Sequence, residues 1–408
     1  MSDGLQPQFG AEMRRRRHRA GLSLDVLAAR VHYSKGYLSR IENGDRRPHT
    51  DLARLVDGEL QADGELIALA ERRDEAVVPP LPTGPDAHWP ELDDVAPPGA
   101  ARARSRLALP ADPATLTAFT RVFGELRELS QLVPAEVVTP SVIDLCEKLS
   151  RAAHSADPEQ RGSLFRHAAR YAEFAGWMLQ ESGADREALQ WTRRAVQLAH
   201  AGGDSVMGTH SLIRRALFAL VQRESATVVE LATRAARTDS APPWLRSFAL
   251  QRAAQGHALA GHADLTLRAL EDAQKLLDSR SADDPVAKLG PGSVADPFTM
   301  TFGWCLSDLG KLHRAAEIFD RETARIPVQA RRTRARYGVR RSIVHALNGE
   351  IDHACVIAEE LLPDIAAVQS ATTDGELRRL NRILIRHRGH RRAQQLAIEL
   401  NVTMSYAR

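Results

Sequence analysis

The sequence predicts an all-α fold, and three observations carry that expectation. Ala, Leu and Arg dominate a chain with only 5% aromatic residues, a mixture that favours helices over strands. Apolar residues recur at helical spacing over most of the length. Ser23, Ser34, Thr50 and Asp63 each stand just before such a run, where a side-chain oxygen accepts from the open N–H groups of a helix start.

A chain of 408 residues exceeds one ordinary core, because domains run to roughly 100–200 residues. The punctuation divides it into three. Residues 1–75 carry closely spaced N-cap signals and therefore short helices. Residues 76–113 hold nine of the 21 prolines, and proline removes backbone donors and disfavours helix in the residue before it, so this stretch reads as an extended tether with Trp89 as its one large apolar anchor. From 114 to 408 helical periodicity returns and persists.

Within that last segment a unit recurs: a helix, a short turn usually marked by Gly, and a second helix with a small residue five positions on. The turns fall at Gly183, Arg223, Gly261, Gly310 and Gly349, separated by 40, 38, 49 and 39 residues. Ala188, Ala315 and Ala354 occupy the small positions, and the long interval contains SRSADDPVAKLGPGSVADP, an inserted loop. Such spacing predicts stacked helical hairpins, each burying its face on the next.

In the first segment LSLDVLAARVHYSKGYLSRIENGDRRPHTDLARLV has the form of a bracing helix followed by a probing helix. Leu24, Leu27, Ala28, Val31, Leu38 and Ile41 share a buried face, which leaves Lys35, Gly36, Tyr37, Ser39 and Arg40 outward. The run LxxLAxxVxxSxxYLSRIENGxRRP resembles the XRE, or Cro/C1-type, helix-turn-helix family of the phage repressors, and residues 9–73 lie over that family's five helices.

The resemblance implies double-stranded operator DNA as partner. It places Lys35 and Arg40 at base edges, Ser23 and Ser34 on phosphate at helix starts, and Tyr37 and Ser39 on a thymine methyl or a phosphate. Arg46, Arg47, His49 and Thr50 lie in the following loop, which tracks the DNA backbone in this family. It also implies a structural ion pair between Arg17 and Glu42. Two departures stand out: His32 occupies the tight turn where glycine is usual, and Gly36 contributes no side chain at a base-reading position. The arginines at 14–17 and 19 fit either a solvated helix face or backbone contact.

The hairpin array resembles tetratricopeptide repeats in degenerate form, with Phe319 and Pro327 matching later motif positions. The two segments together resemble peptide-pheromone receptor regulators and the helix-turn-helix/repeat regulators of actinobacteria. Projecting the repeat motif puts Arg170, Glu173, Trp177, His210, Gln251, Gln255, Met300, Trp304 and Ser307 on a concave face. That set suits a pocket for a peptide or small-molecule effector, a quorum signal among them. Trp177, Met300 and Trp304 are equally read as interhelix core, and Arg170 with Glu173 as an i,i+3 pair.

Two basic runs, 330–342 and 378–392, fit solvated faces or contacts with phosphate or an acidic partner. The net charge of +3 from 55 basic and 52 acidic side chains leaves nucleic-acid affinity to local clusters. Cys146, Cys305 and Cys355 are odd in number and far apart, so neither a disulfide framework nor a zinc site is expected; His387 and His390 have metal-pair spacing without a further ligand nearby. No phosphate loop or nucleophile motif appears, so neither an enzyme nor a cofactor is expected. Without an 18-residue apolar run or a signal peptide, the expectation is a cytoplasmic, nucleoid-associated protein with no membrane contact. The combined expectation is a homodimeric transcriptional regulator controlled by a signal; the alternative is a repeat-type interaction scaffold with a DNA-anchoring head.

Overall fold

The computed structural model describes residues 6–31, 33, 35–44, 48, 50–60, 62, 65–66, 69, 112–278, 292–387 and 389–406. His32, Ser34, Arg46, Arg47, His49, Asp63, Trp89 and the loop at 279–291 lie outside the described residues. Every regular element among the described residues is a helix. The chain divides into two compact units, Met1–Ala87 and His88–Arg408.

The first unit contains α1 (Gln6–Arg19), α2 (Leu24–Arg30), α3 (Lys35–Glu42) and α4 (Thr50–Glu59), followed by helical residues at 65, 66 and 69. Phe9 and Met13 of α1, Leu27, Ala28 and Val31 of α2 and its C-cap, Leu38 and Ile41 of α3, and Leu52, Ala53 and Val56 of α4 form one buried cluster. Its closest approach is at Gly10: a Cβ there would lie 2.2 Å from the Ile41 carbonyl oxygen. Only glycine lets α1 cross α3 at that depth.

The second unit begins with α5 (Pro113–Leu129) and α6 (Ala135–Ser155). Among the described residues six helical hairpins follow: α7 (Pro158–Glu181) with α8 (Asp185–Ala201), α9 (Val206–Val221) with α10 (Ser225–Ala236), α11 (Pro243–Leu259) with α12 (Ala263–Asp278), α13 (Pro297–Asp308) with α14 (Leu312–Thr323), α15 (Arg331–Leu347) with α16 (Ile351–Val368), and α17 (Ala371–Leu384) with α18 (Arg391–Tyr406). The two helices of each hairpin pack together, and α9 also touches α11, α11 touches α13 and α15 touches α17.

The five turn positions read from the sequence are left-handed caps. Gly183, Gly261, Gly310 and Gly349 have φ of 81°, 80°, 73° and 88°, and Arg223 adopts 60° in the copy that lacks glycine. At each, the left-handed residue and its successor donate back to the ending helix; Gly183 N–H reaches the Gln180 carbonyl at 3.0 Å and Ala184 N–H the Leu179 carbonyl at 2.9 Å. These paired bonds satisfy carbonyls that a helix end would otherwise leave open. Ala188, Ala315 and Ala354 are buried where the two helices of their hairpins meet, so their small side chains set the packing distance.

The array also closes on itself. Arg332 of α15 donates from Nε to the Ser130 carbonyl at 2.8 Å, from Nη2 to the Val133 carbonyl at 2.7 Å and from Nη1 to Glu181 at 3.0 Å. Ser370 and Thr372, at the start of α17, donate hydroxyls to the same Glu181 carboxylate at 2.5 and 3.0 Å. The first and last hairpins of the array thus share one buried polar knot.

Candidate nucleic-acid interface

The bracing helix α2 starts at Ser23, whose hydroxyl accepts from Val26 N–H at 3.2 Å. That cap occupies the Ser23 oxygen and aims the open end of α2 outward. Helix α3 is held from behind by Arg17, which grips Glu42 through Nε at 2.7 Å and Nη2 at 3.1 Å, with the side chains 8% and 3% exposed. Arg17 Nη1 also donates to the Leu22 carbonyl at 2.8 Å, tying the α1–α2 turn to the same point. The two-pronged contact fixes the α1–α3 angle. Arg30 and Glu59, 2.6 Å apart, brace α2 against α4.

On the outer side of α3, Lys35, Gly36 and Arg40 are exposed and Ser39 is half-buried. An added Cβ on Gly36 would meet nothing within 4 Å, so the unit leaves this face open. Arg40 makes no hydrogen bond or ion pair with the described residues. Lys35 pairs with Asp25 of α2 at 2.8 Å, both side chains largely exposed; such a pair is worth little and separates readily when a phosphate competes. Asp25 was not among the residues expected at the face, although its position two residues after the α2 cap places it beside the start of α3.

Tyr37 requires a correction. Expected outward, it is 1% exposed and stacks on Tyr33 with ring centroids 5.4 Å apart, so it belongs to the core and does not present itself to a thymine methyl or a phosphate. Its spacing of four from Ile41 places it on the buried stripe. The backbone at Thr50 opens α4, while its side chain is outside the described set together with Ser34, Arg46, Arg47 and His49.

The basic run on α1 is engaged within the unit. Arg14 reaches Glu42 at 3.1 Å and Asn43 at 2.6 Å, Arg15 and Arg16 pair with Glu12, and Arg16 also pairs with Glu65.

Two crossing helices therefore present a short, cationic α3, with Lys35 on an exposed ion pair and Arg40 turned to solvent. Residues 8–70 match a helix-turn-helix domain. No curated protein and no solved structure matches the chain. The helix-turn-helix domain covers the first unit's described core from Phe9 to Leu69, and in this fold α3 occupies the position of the helix that enters the major groove. Among the described residues no helix is long and apolar enough to cross a membrane.

In the second unit the residues projected onto one face behave in different ways. Met300 and Trp304 are buried in a cluster with Ala315, Phe319 and Val344, which corrects their reading as pocket walls in favour of interhelix core. Trp177 is half-buried, lies 5.8 Å from Phe174 and donates Nε1–H to Glu181 at 3.2 Å. Arg170 is exposed, and Glu173 pairs with Arg214 at 3.6 Å rather than with Arg170. Gln255 accepts from Arg252 and Gln251 donates to Ser247 at 3.4 Å. His210, Gln251, Gln255 and Ser307 are all buried, and among the described residues no hydrogen-bond partner meets His210 Nδ1, Gln251 Oε1 or Ser307 Oγ.

Most of the basic run at 330–342 is drawn into ion pairs within the unit. Arg332 joins Glu181, Arg334 joins Asp364, Arg341 joins Asp320, and the buried Arg340 joins Asp308 and Glu376 at 2.7 and 2.9 Å while its guanidinium lies 4.0 Å from the Trp304 ring centre. The stripe Arg332, Arg336, Arg340 has the four-residue spacing of one helix face, a signal present in the sequence.

One group of possible metal ligands occurs among the described residues: Asp320, His345 and His353, with ligand atoms within 4.8 Å of one another. His345 is already held by Asp320 at 3.0 Å and Glu350 at 2.5 Å, and Arg341 sits on Asp320 at 2.5 Å, so Asp320 and His345 are engaged with one another and with side chains of the array.

Proposed function

We propose that the chain is a sequence-specific DNA-binding transcriptional regulator of the XRE type, acting as a homodimer, whose tetratricopeptide-like array senses a signal. The exposed Lys35–Arg40 face on a helix-turn-helix domain held rigid by Arg17 and Glu42 is the observation that supports it most directly. Arg40 matches the bidentate demand of a guanine edge, and Lys35, released from Asp25, supplies a mobile point charge for phosphate or base. One such head reads only half a site, so useful affinity asks for two copies on a pseudo-palindrome. The array contributes by favouring one placement of the heads when its signal is bound.

The test is binding of the full chain to its promoter fragment across a salt series. Lys35→Ala/Arg40→Ala should lower operator affinity by about 1–3 kcal/mol for each base edge no longer read and flatten the salt slope, with the thermal transition unchanged. Undiminished operator affinity in the double variant overturns the assignment of α3 as the reading helix.

A further inference from the structure

We propose that the interior of the hairpin array binds an oxyanion-bearing small molecule, a phosphate or a carboxylate, on the guanidinium groups of Arg214, Arg252 and Arg336. The inference rests on reading the array as the sensor and names the chemistry of its signal.

Three first helices, α9, α11 and α15, bring these cations close enough to act on one another, and the carboxylate paired with them, Glu173 on Arg214, stands beyond hydrogen-bond reach. Arg214 is 7% exposed; its Nε stands 3.6 Å from a Glu173 carboxylate oxygen, an ion pair without a hydrogen bond, and neither Nε nor Nη2 has a hydrogen-bond partner among the described residues. Arg252 donates only to the neutral Gln255 amide, and its Nε is buried and unpartnered. Burial first, then the neighbouring charges of Arg336 and Arg214, pushes Arg252 down to about 10. Arg336 lies over the Trp304 ring, 5.9 Å from its centre. The second carboxylate that Arg214 and Arg336 sense, Glu181, is already saturated by Arg332, Ser370 and Thr372.

Buried polar groups in folded proteins are nearly always paired, and a buried charge without a counter-charge is costly. Nearby the charge is balanced, since Arg340 has both Asp308 and Glu376 within hydrogen-bond distance, although its Nε is without a hydrogen-bond partner among the described residues. At Arg214 and Arg252 the described residues leave three guanidinium nitrogens without a hydrogen-bond acceptor, and His210, 2% exposed, adds an Nδ1 without a hydrogen-bond partner among them. An oxyanion provides the missing lone pairs, and the guanidinium fork fits its geometry. Burial makes DNA phosphate an unsuitable occupant, which leaves a small acidic molecule.

The experiment follows the thermal transition of the full chain in Tris-chloride while inorganic phosphate, or separately citrate, is titrated to a few millimolar at constant ionic strength. Wild-type protein should show a saturable rise of about 2–5 °C once the probe exceeds its Kd some tenfold. The rise should vanish in Arg252→Gln and in Arg336→Gln, the second being half-buried and without a hydrogen bond to lose, and persist in the surface variant Arg392→Gln. A response to phosphate alone, to citrate alone or to both supports the proposal and assigns the oxyanion. No rise with either probe, or equal rises in wild type and both interior variants, overturns it. Operator binding is read separately: retained operator binding without a probe response removes this inference alone, and a probe response without operator binding removes the DNA reading alone.

Discussion

Arg332 and Glu181 form an ion pair of 3.0 Å across 151 positions of sequence, with side chains 3% and 2% exposed. The contact joins the first helix of the fifth hairpin to the end of the first. Glu181 accepts from four side chains, the others being Ser370, Thr372 and Trp177, so both of its oxygens are fully used. Arg332 spends its remaining donors on the Ser130 and Val133 carbonyls. A buried pair is tolerable on these terms because each carboxylate oxygen and each guanidinium nitrogen finds a hydrogen-bond partner.

Removing one partner leaves the other charge buried and alone. Arg332→Ala and Glu181→Ala should each lower the stability of the second unit by about 3–5 kcal/mol in urea denaturation, and the double variant should lose less than the sum. The pair also sets an acid limit. Burial raises the Glu181 pKa, but the charges of Arg332 and Arg336 and the hydroxyls of Ser370 and Thr372 outweigh it and hold the carboxyl below its ordinary value. A depressed folded-state pKa gives stability that is complete above the unfolded value and is lost as pH falls through the folded one. Stability measured from neutral pH down to pH 3 should therefore fall more steeply in wild type than in Glu181→Gln.

In the helix-turn-helix domain, Arg17→Ala should cost about 3–5 kcal/mol and remove operator binding by melting the domain. That loss appears as a missing thermal transition, unlike the Lys35 and Arg40 substitutions. Tyr37→Phe keeps the ring stacked on Tyr33 and should retain operator affinity; a large loss with an intact fold would return Tyr37 to the DNA face.

Gly36 separates stability from recognition at a single position. In a helix alanine is favoured over glycine by roughly 0.8–1.0 kcal/mol, and the open space around Gly36 leaves no clash to offset it. Gly36→Ala should raise the melting temperature of the first unit. If α3 enters a groove there, the same substitution should weaken or redirect operator binding, read by competition between operator variants.

At Arg223 the array holds an L residue at φ 60°, a conformation that costs roughly 1–2 kcal/mol outside glycine. Arg223→Gly should stabilise the second unit by up to about that amount in urea, less the entropy glycine adds to the unfolded chain. It also removes a cation that Arg379 senses.

Much of this was legible before any coordinates. The helices, the Ser23 cap and the five turn positions follow from local rules, and even Arg223, which lacks the glycine signal, is placed by the interval. The Arg17–Glu42 pair came through resemblance to a family, not from spacing. Tyr37 belongs inside by its four-residue step from Ile41, a step that the outward assignment of residues 35–40 passes over. Trp304 and Met300 were left undecided between pocket wall and core, since periodicity assigns a face but not what covers it. The greatest gap was the arginine stripe of α15. Arg332 and Arg340 look like solvated charge in one dimension; their burial depends on Glu181, Asp308 and Glu376, which only the closed array brings within reach.

That closure changes how the array should come apart. In an open stack, each unit leans only on its neighbours, so the ends fray first and a unit can be added or removed at modest cost. Here the terminal turns are clasped together by Glu181, Arg332, Ser370 and Thr372, and neither end is free to peel. Deleting an internal hairpin would pull the clasp out of register as surely as deleting the clasp itself, so the number of hairpins is fixed by geometry and melting becomes one concerted event.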